Sequence, residues 1–94
     1  MPPEHALVTF YFDDVVPIAE VDGTLQLSLM AAESIYGRDR IRLEAQPHLD
    51  PEGRRCSIDT ATAVGRALAA IFLGYSRREF GETAVRISQG RARA

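Results

Sequence analysis

The sequence predicts an α+β fold in which four antiparallel strands are covered on one face by two helices. Three observations lead there. Residues 57–81 carry a helical apolar repeat bounded by capping residues. Residues 6–13, 40–49 and 83–88 alternate apolar with polar side chains. Between the second of these runs and Arg54 lies Asp50-Pro51-Glu52-Gly53, with the residues a type I turn prefers at its first, second and fourth places.

Ala6 to Asp13 is rich in aromatic and β-branched residues and reads as a strand. Val8, Phe10 and Phe12 share one face, and Leu7, Thr9 and Tyr11 the other; the larger aromatics mark the first face as the buried one. Residues 1–5, with two prolines and no apolar anchor, read as a loose tail, as do residues 89–94.

Two readings compete over the next segment. Val15-Val16-Pro17-Ile18 is apolar but broken by proline, and Asp22-Gly23 carries a hairpin signature followed by alternating Leu25, Leu27 and Leu29. A helix from about Thr24 to Tyr36 instead gives a stripe of Leu25, Leu29, Ala32 and Tyr36, capped by Asp22 or Thr24 and ended by Gly37. The helix is preferred, because Leu29-Met30-Ala31-Ala32-Glu33-Ser34 has high helix propensity.

Arg40 to Leu49 reads as the second strand, with Ile41, Leu43, Ala45 and Leu49 set against Arg42, Glu44, Gln46 and His48. Folding back on the turn pairs Leu49 with Arg54, His48 with Arg55, Pro47 with Cys56 and Ala45 with Ile58. Cys56 and Ile58 then face the core, and Pro47, which cannot donate to a ladder, marks an edge. In the long helix Asp59 and Thr60 are the expected caps. Val64, Leu68, Ile71 and Tyr75 are its expected core stripe, flanked by Ala67 and Phe72; Arg77 and Arg78 suit its last turn, and Gly81 its end. Thr83 to Ser88 closes the list as a strand.

The order strand, helix, strand, strand, helix, strand is that of a ferredoxin-like split βαβ domain, a single domain with strand order 4-1-3-2 and both helices on one side. With 94 residues the chain suits one modest core. A net charge of −2 gives no global reason for a nucleic acid or membrane partner, and no apolar run approaches the ~18 residues of a spanning helix. The acid in Met1-Pro2-Pro3-Glu4-His5 is unlike a signal peptide. One cysteine, Cys56, excludes an internal disulfide and fits the cytoplasm. The absence of lysine, asparagine and tryptophan reads as the bias of a GC-rich bacterial genome.

The usual catalytic and ligand motifs are missing, so the chain is read as non-enzymatic and without cofactor. The small acyl-phosphate hydrolases of this topology pair an arginine with an asparagine, and there is no asparagine. His5 lies in the tail and His48 on the expected edge strand, so they do not read as a metal pair. Asp13, Asp14, Glu20 and Asp22 could offer two ligands to magnesium, but read more simply as turn and helix caps. Cys56, inward and without a base, reads as a small core residue.

Two surfaces remain. The uncovered sheet face collects Leu7, Thr9, Tyr11, Arg40, Arg42, Glu44, Gln46, His48, Arg55, Ser57, Arg86 and Ser88, of which Tyr11, Arg42, His48, Arg55 and Arg86 are the candidate ligand residues. RNA-recognition domains read single strands on this face, mostly with aromatics on the central strands; here Tyr11 is the only aromatic. The back of the long helix presents Ala69, Leu73 and Phe80, framed by Arg66 and Arg77, as a docking stripe for another helix. The expectation is an adaptor or regulatory subunit that binds another protein chain or itself. The alternative is a binder of single-stranded nucleic acid or a nucleotide on the sheet face.

Overall fold

A computed structural model describes residues 6–91, so the expected tail at 1–5 and the end of the one expected at 89–94 lie outside the described residues, whereas residues 89–91 of the latter are strand. β1 (Ala6–Phe12) leads to helix α1 (Ile18–Tyr36), a short helix α2 (Arg38–Arg40) that continues as a π-helical turn over Ile41–Ala45, and β2 (His48–Asp50). β3 (Arg55–Asp59), helix α3 (Ala63–Phe80), a 3₁₀ turn at Glu82–Ala84 and β4 (Val85–Arg91) follow. The strands form one open sheet in the order β2-β3-β1-β4, every neighbouring pair antiparallel. Among the described residues no helix is long and apolar enough to cross a membrane.

β1 lies between β3 and β4, and its aromatic face is the buried one, as expected. Val8, Phe10 and Phe12 are buried, as are Cys56, Ile58 and Val85 on its neighbours, and the helices cover this face. Phe72 of α3 meets Phe10 edge-on, with ring centroids 5.1 Å apart, and Phe12 at 6.0 Å; Phe80 also meets Phe12 at 6.0 Å.

Several elements differ from expectation. α1 begins at Ile18, not Thr24, because Pro17 stands at its N-cap, where the missing amide costs nothing, and its carbonyl accepts from the amides of Glu20 and Val21. Asp22 is therefore exposed mid-helix and Thr24 buried, and neither caps. The buried face is Val21, Thr24, Leu25, Ser28 and Ala32, with Leu29 and Tyr36 packed at its margin. Gly37, at φ 86°, ends the helix with its amide on Glu33 O.

The expected second strand is mostly helix. Ile41 and Ala45 are both fully buried, a spacing of four, whereas Leu43, their partner in a strand, is 75% exposed. The ion pair of Arg40 Nε with Glu44 Oε2, 2.7 Å at i,i+4, supports the helical turn. Gln46 then takes a left-handed conformation (φ 43°, ψ 56°) and Pro47 has no amide to continue with, leaving three residues for β2.

The hairpin register is slipped by two residues: His48 pairs with Ser57, Leu49 with Cys56 and Asp50 with Arg55. Asp50 does not open a two-residue turn. Its Oδ1 accepts from the Gly53 amide (3.1 Å), and Arg54, at φ 53°, closes a four-residue loop with its amide on Pro51 O. Arg54 is held there by its guanidinium, which donates to the carbonyls of Phe12, Asp13 and Val16. A slip of two preserves every face, so Cys56 and Ile58 are buried as expected.

α3 starts later than expected. Thr62 is the cap, its Oγ1 accepting from the Gly65 amide at 3.1 Å, while Thr60 binds Ala6 O through both amide (2.6 Å) and hydroxyl (2.9 Å), and Asp59 Oδ1 accepts from the Ala61 amide. The innermost ridge is Val64, Leu68, Phe72 and Ser76, with Ile71 only partly buried and Tyr75 40% exposed. Gly81 ends the helix at φ 89°. β4 also runs past the expected limit of Ser88, because β1 offers a partner to each residue out to Ala6↔Arg91.

The α3 ridge yields a contrast between neighbours four residues apart. Phe72→Ala removes a ring enclosed by Phe10 and Phe12 and is expected to cost about 3–5 kcal/mol. The Ser76 hydroxyl is buried with no hydrogen-bond partner among the described residues, so Ser76→Ala is expected to be neutral or stabilising by about 1 kcal/mol. Urea unfolding measures both; comparable losses would show that the ridge is placed wrongly.

Candidate functional site

The face of the sheet opposite the helices is an ordered grid. Register places Asp50, Arg55, Tyr11 and Arg86 side by side across all four strands. His48, Ser57, Thr9 and Ser88 form the next row, and Asp59, Leu7 and Gly90 the row beyond on β3, β1 and β4. Small hydroxyl side chains thus lie between larger ones, and a hollow of about 310 Å³ opens there, lined by Leu7, Thr9, Tyr11, His48, Asp50, Arg55 and Ser57.

Of the expected face residues, the structure brings together Tyr11, His48, Arg55 and Arg86. Arg42 is not among them. It is exposed on the π-helical turn and lines a different hollow with Gln26, Glu33 and Arg38, because the segment that carries it is helical. Arg40, Glu44 and Gln46 leave the face for the same reason. The face therefore holds two arginines on strands, Arg55 and Arg86, with Asp50 as an acid the sequence reading assigned only to a turn. Arg55 Nε donates to Asp50 Oδ2 at 3.2 Å. The Gly53 amide first, and then Arg55, hold the Asp50 carboxyl below the ordinary aspartate range.

The expected docking stripe on α3 is also differently placed. Ala69, Leu73 and Phe80 do not point away from the core; they are half-buried on the flank toward β4, because the ridge is centred on Phe72. Arg66 is exposed and spends its Nη1 on the carbonyls of Thr60 and Ala61. Arg77, Ala70 and Gly74 are the exposed positions behind. Between this flank and the sheet runs a groove of about 340 Å³ lined by Ala69, Ala70, Leu73, Ile87 and Gln89, with Arg66 at its margin. Ile87 is 40% exposed although it shares the inward face with buried Val85. A fourth depression, of about 820 Å³, lies where the first half of α1 meets the end of α3, with Gly23, Leu27 and Tyr75 among its lining.

Among the described residues no three His, Cys, Asp or Glu side chains are grouped as metal ligands. In the loop after β1, Asp14 lies 3.7 Å from Arg54. Cys56 is fully buried and free, and burial pushes its thiol up to about 12.

No protein-family model, curated protein or solved structure matches the chain.

Two measurements check this geometry. A folded-state Asp50 pKa below the ordinary 3.8 contributes stability that is present above that value and is lost as pH falls through the lowered one. The acid limb of a stability–pH curve is therefore expected to flatten below about pH 4 in Asp50→Asn, which keeps an acceptor for the Gly53 amide; an unaltered limb would remove the Asp50–Gly53–Arg55 arrangement. At pH 8 a thiol reagent is expected to label native Cys56 at least about a hundredfold more slowly than the denatured chain. Equal rates would place Cys56 outside the core.

Proposed function

We propose that this chain is a ferredoxin-like protein-interaction domain, an adaptor or regulatory subunit that pairs with a second copy of itself along β4. The topological part of the reading is supported by the sheet order, which counted from the β4 edge is 4-1-3-2, and by helical crossovers between β1 and β2 and between β3 and β4. A single cysteine, free and buried, suits a cytoplasmic setting.

The observation that carries the proposal is the contrast between the two sheet edges. β2 is three residues long and follows Pro47, a form in which an edge attracts little pairing. β4 is seven residues long, contains no proline, and leaves Ile87 partly uncovered beside the groove under Ala69 and Leu73. A second β4, antiparallel and centred on Ser88, sets Arg86 opposite Gly90 and Ile87 opposite Gln89. No like charges then face each other directly across the seam. The same pairing brings two Leu73 flanks toward the twofold axis and covers both Ile87 side chains.

Light scattering over a dilution series tests it. The unmodified protein is expected to show a dimer that dissociates on dilution. Ile87→Asp is expected to raise the dissociation constant by about thirtyfold or more, equivalent to about 2 kcal/mol, with little change in unfolding temperature. A monomer at every concentration, or a dimer indifferent to Ile87→Asp, would discard the β4 interface.

A further inference from the structure

We infer that the open sheet face holds a binding site for a small planar molecule carrying one phosphate or carboxylate group. This site is distinct from the β4 edge and does not depend on the pairing proposed there.

Its shape comes from the row order. Thr9 and Ser57 form a low, hydroxyl-bearing floor, Tyr11 and Arg55 rise on one side, Leu7 on the other, and His48 and Asp50 close the β2 end. At about 310 Å³ the hollow lies at the small end of the range that holds small-molecule ligands, about 300–1,000 Å³. A ring fits between the apolar surfaces of Leu7 and Tyr11, and the hydroxyls beneath it can donate or accept.

The lining holds Arg55 and its ion-pair partner Asp50, and Arg86 stands opposite Tyr11 just outside it, so the two guanidiniums offer an anion more positive charge than Asp50 neutralises. Arg86 is exposed, and among the described residues no carboxylate lies within ion-pair distance of it. Arg55 gives only its Nε to Asp50, so both terminal nitrogens of its guanidinium are without a protein partner among the described residues. The two arginines flank Tyr11 on neighbouring strands, their backbones about 10 Å apart, a span that two arginine side chains can close over one anion. Asp50 is the acid of the hollow, and it is already engaged by Arg55 and the Gly53 amide.

The same inventory disfavours a nucleic-acid strand. A backbone track needs repeated cations along the face, and the helical placement of Arg40 and Arg42 leaves only one row with arginines.

Amide chemical-shift titration of the full chain tests the site with four small probes and a hexanucleotide. Adenosine 5′-monophosphate and 4-hydroxybenzoate carry both a ring and an anion; adenosine lacks the anion, and inorganic phosphate lacks the ring. At least one of the first two is expected to saturate, moving the amides of Thr9, Tyr11, Arg55, Ser57 and Arg86, with adenosine and phosphate each about tenfold weaker or worse. Arg86→Ala, at an exposed position, is expected to weaken the binding about tenfold. Asp50→Asn, which keeps the Gly53 acceptor and frees Arg55, is expected to strengthen it severalfold. Failure of both ring-plus-anion probes to saturate, equal binding of adenosine, or shifts centred away from these five residues would overturn the site. So would a hexanucleotide that binds more tightly than the monophosphate and moves Arg40 and Arg42.

Discussion

The fold turns on how closely α3 is folded back against the strand it leaves. Three residues separate the helix start from the end of β3, and the first turn lies so near the strand that a Cβ on Gly65 would stand 1.8 Å from the Asp59 carbonyl oxygen. A hydrogen is all that fits there. That approach sends the ridge of Val64, Leu68 and Phe72 along β1, where Phe72 meets Phe10 and Phe12 edge-on. The other placements follow from the direction so set. Ala69 and Leu73 fall on the β4 flank and Tyr75 on the side of α1, where it lines a depression with Gly23 and Leu27.

Arg54 is the second constraint, and it decides what the open face contains. Its guanidinium gathers the carbonyls of Phe12, Asp13 and Val16, its own carbonyl accepts from the Phe12 amide, and its backbone is left-handed. One residue thereby ties the β2–β3 loop to the β1–α1 loop. Held in that position it cannot pair with Leu49, and the hairpin closes two residues further on. Asp50 consequently stands beside Arg55 in the same row as Tyr11 and Arg86, where the two-residue turn would have placed it outside the ladder.

The sequence was legible where one period fits a segment and no other does. β1 alternates over its whole length with aromatics on one parity, and its buried face is the expected one. Residues 41–45 were not legible in this way: Ile41, Leu43 and Ala45 alternate, yet Ile41 and Ala45 also stand four apart, and only the packing of Leu43 distinguishes the periods. The Arg40–Glu44 spacing was the available signal for a helix. Asp59 and Thr60 were the expected α3 caps, but Thr60 binds Ala6 O, a contact that exists only once the sheet has formed, and the cap falls to Thr62. For the open face, parity alone gathered Tyr11, His48, Arg55 and Arg86, since parity survives a two-residue slip. It failed for Arg42, whose segment has no strand parity, and it overlooked Thr9 and Ser57 as a floor because their size matters only beside taller neighbours.

On the proposed readings, β4 serves three surfaces without conflict, because a strand separates its chemistry by direction. Its even residues Arg86 and Ser88 belong to the open face, and its odd residues Ile87 and Gln89 to the groove beneath α3. Its outer backbone edge lies in the plane between them, where β4 has no neighbour among the described residues. A second copy paired in that plane is related by a twofold axis normal to the sheet, so both open faces lie on the same side of the enlarged sheet. With Arg86 opposite Gly90, the two Arg86 backbones are four residues apart along the strands, about 13 Å. That separation exceeds the ~8–10 Å over which exposed charges interact strongly at moderate ionic strength. The pairing therefore carries little repulsion between the arginines that the anion site requires.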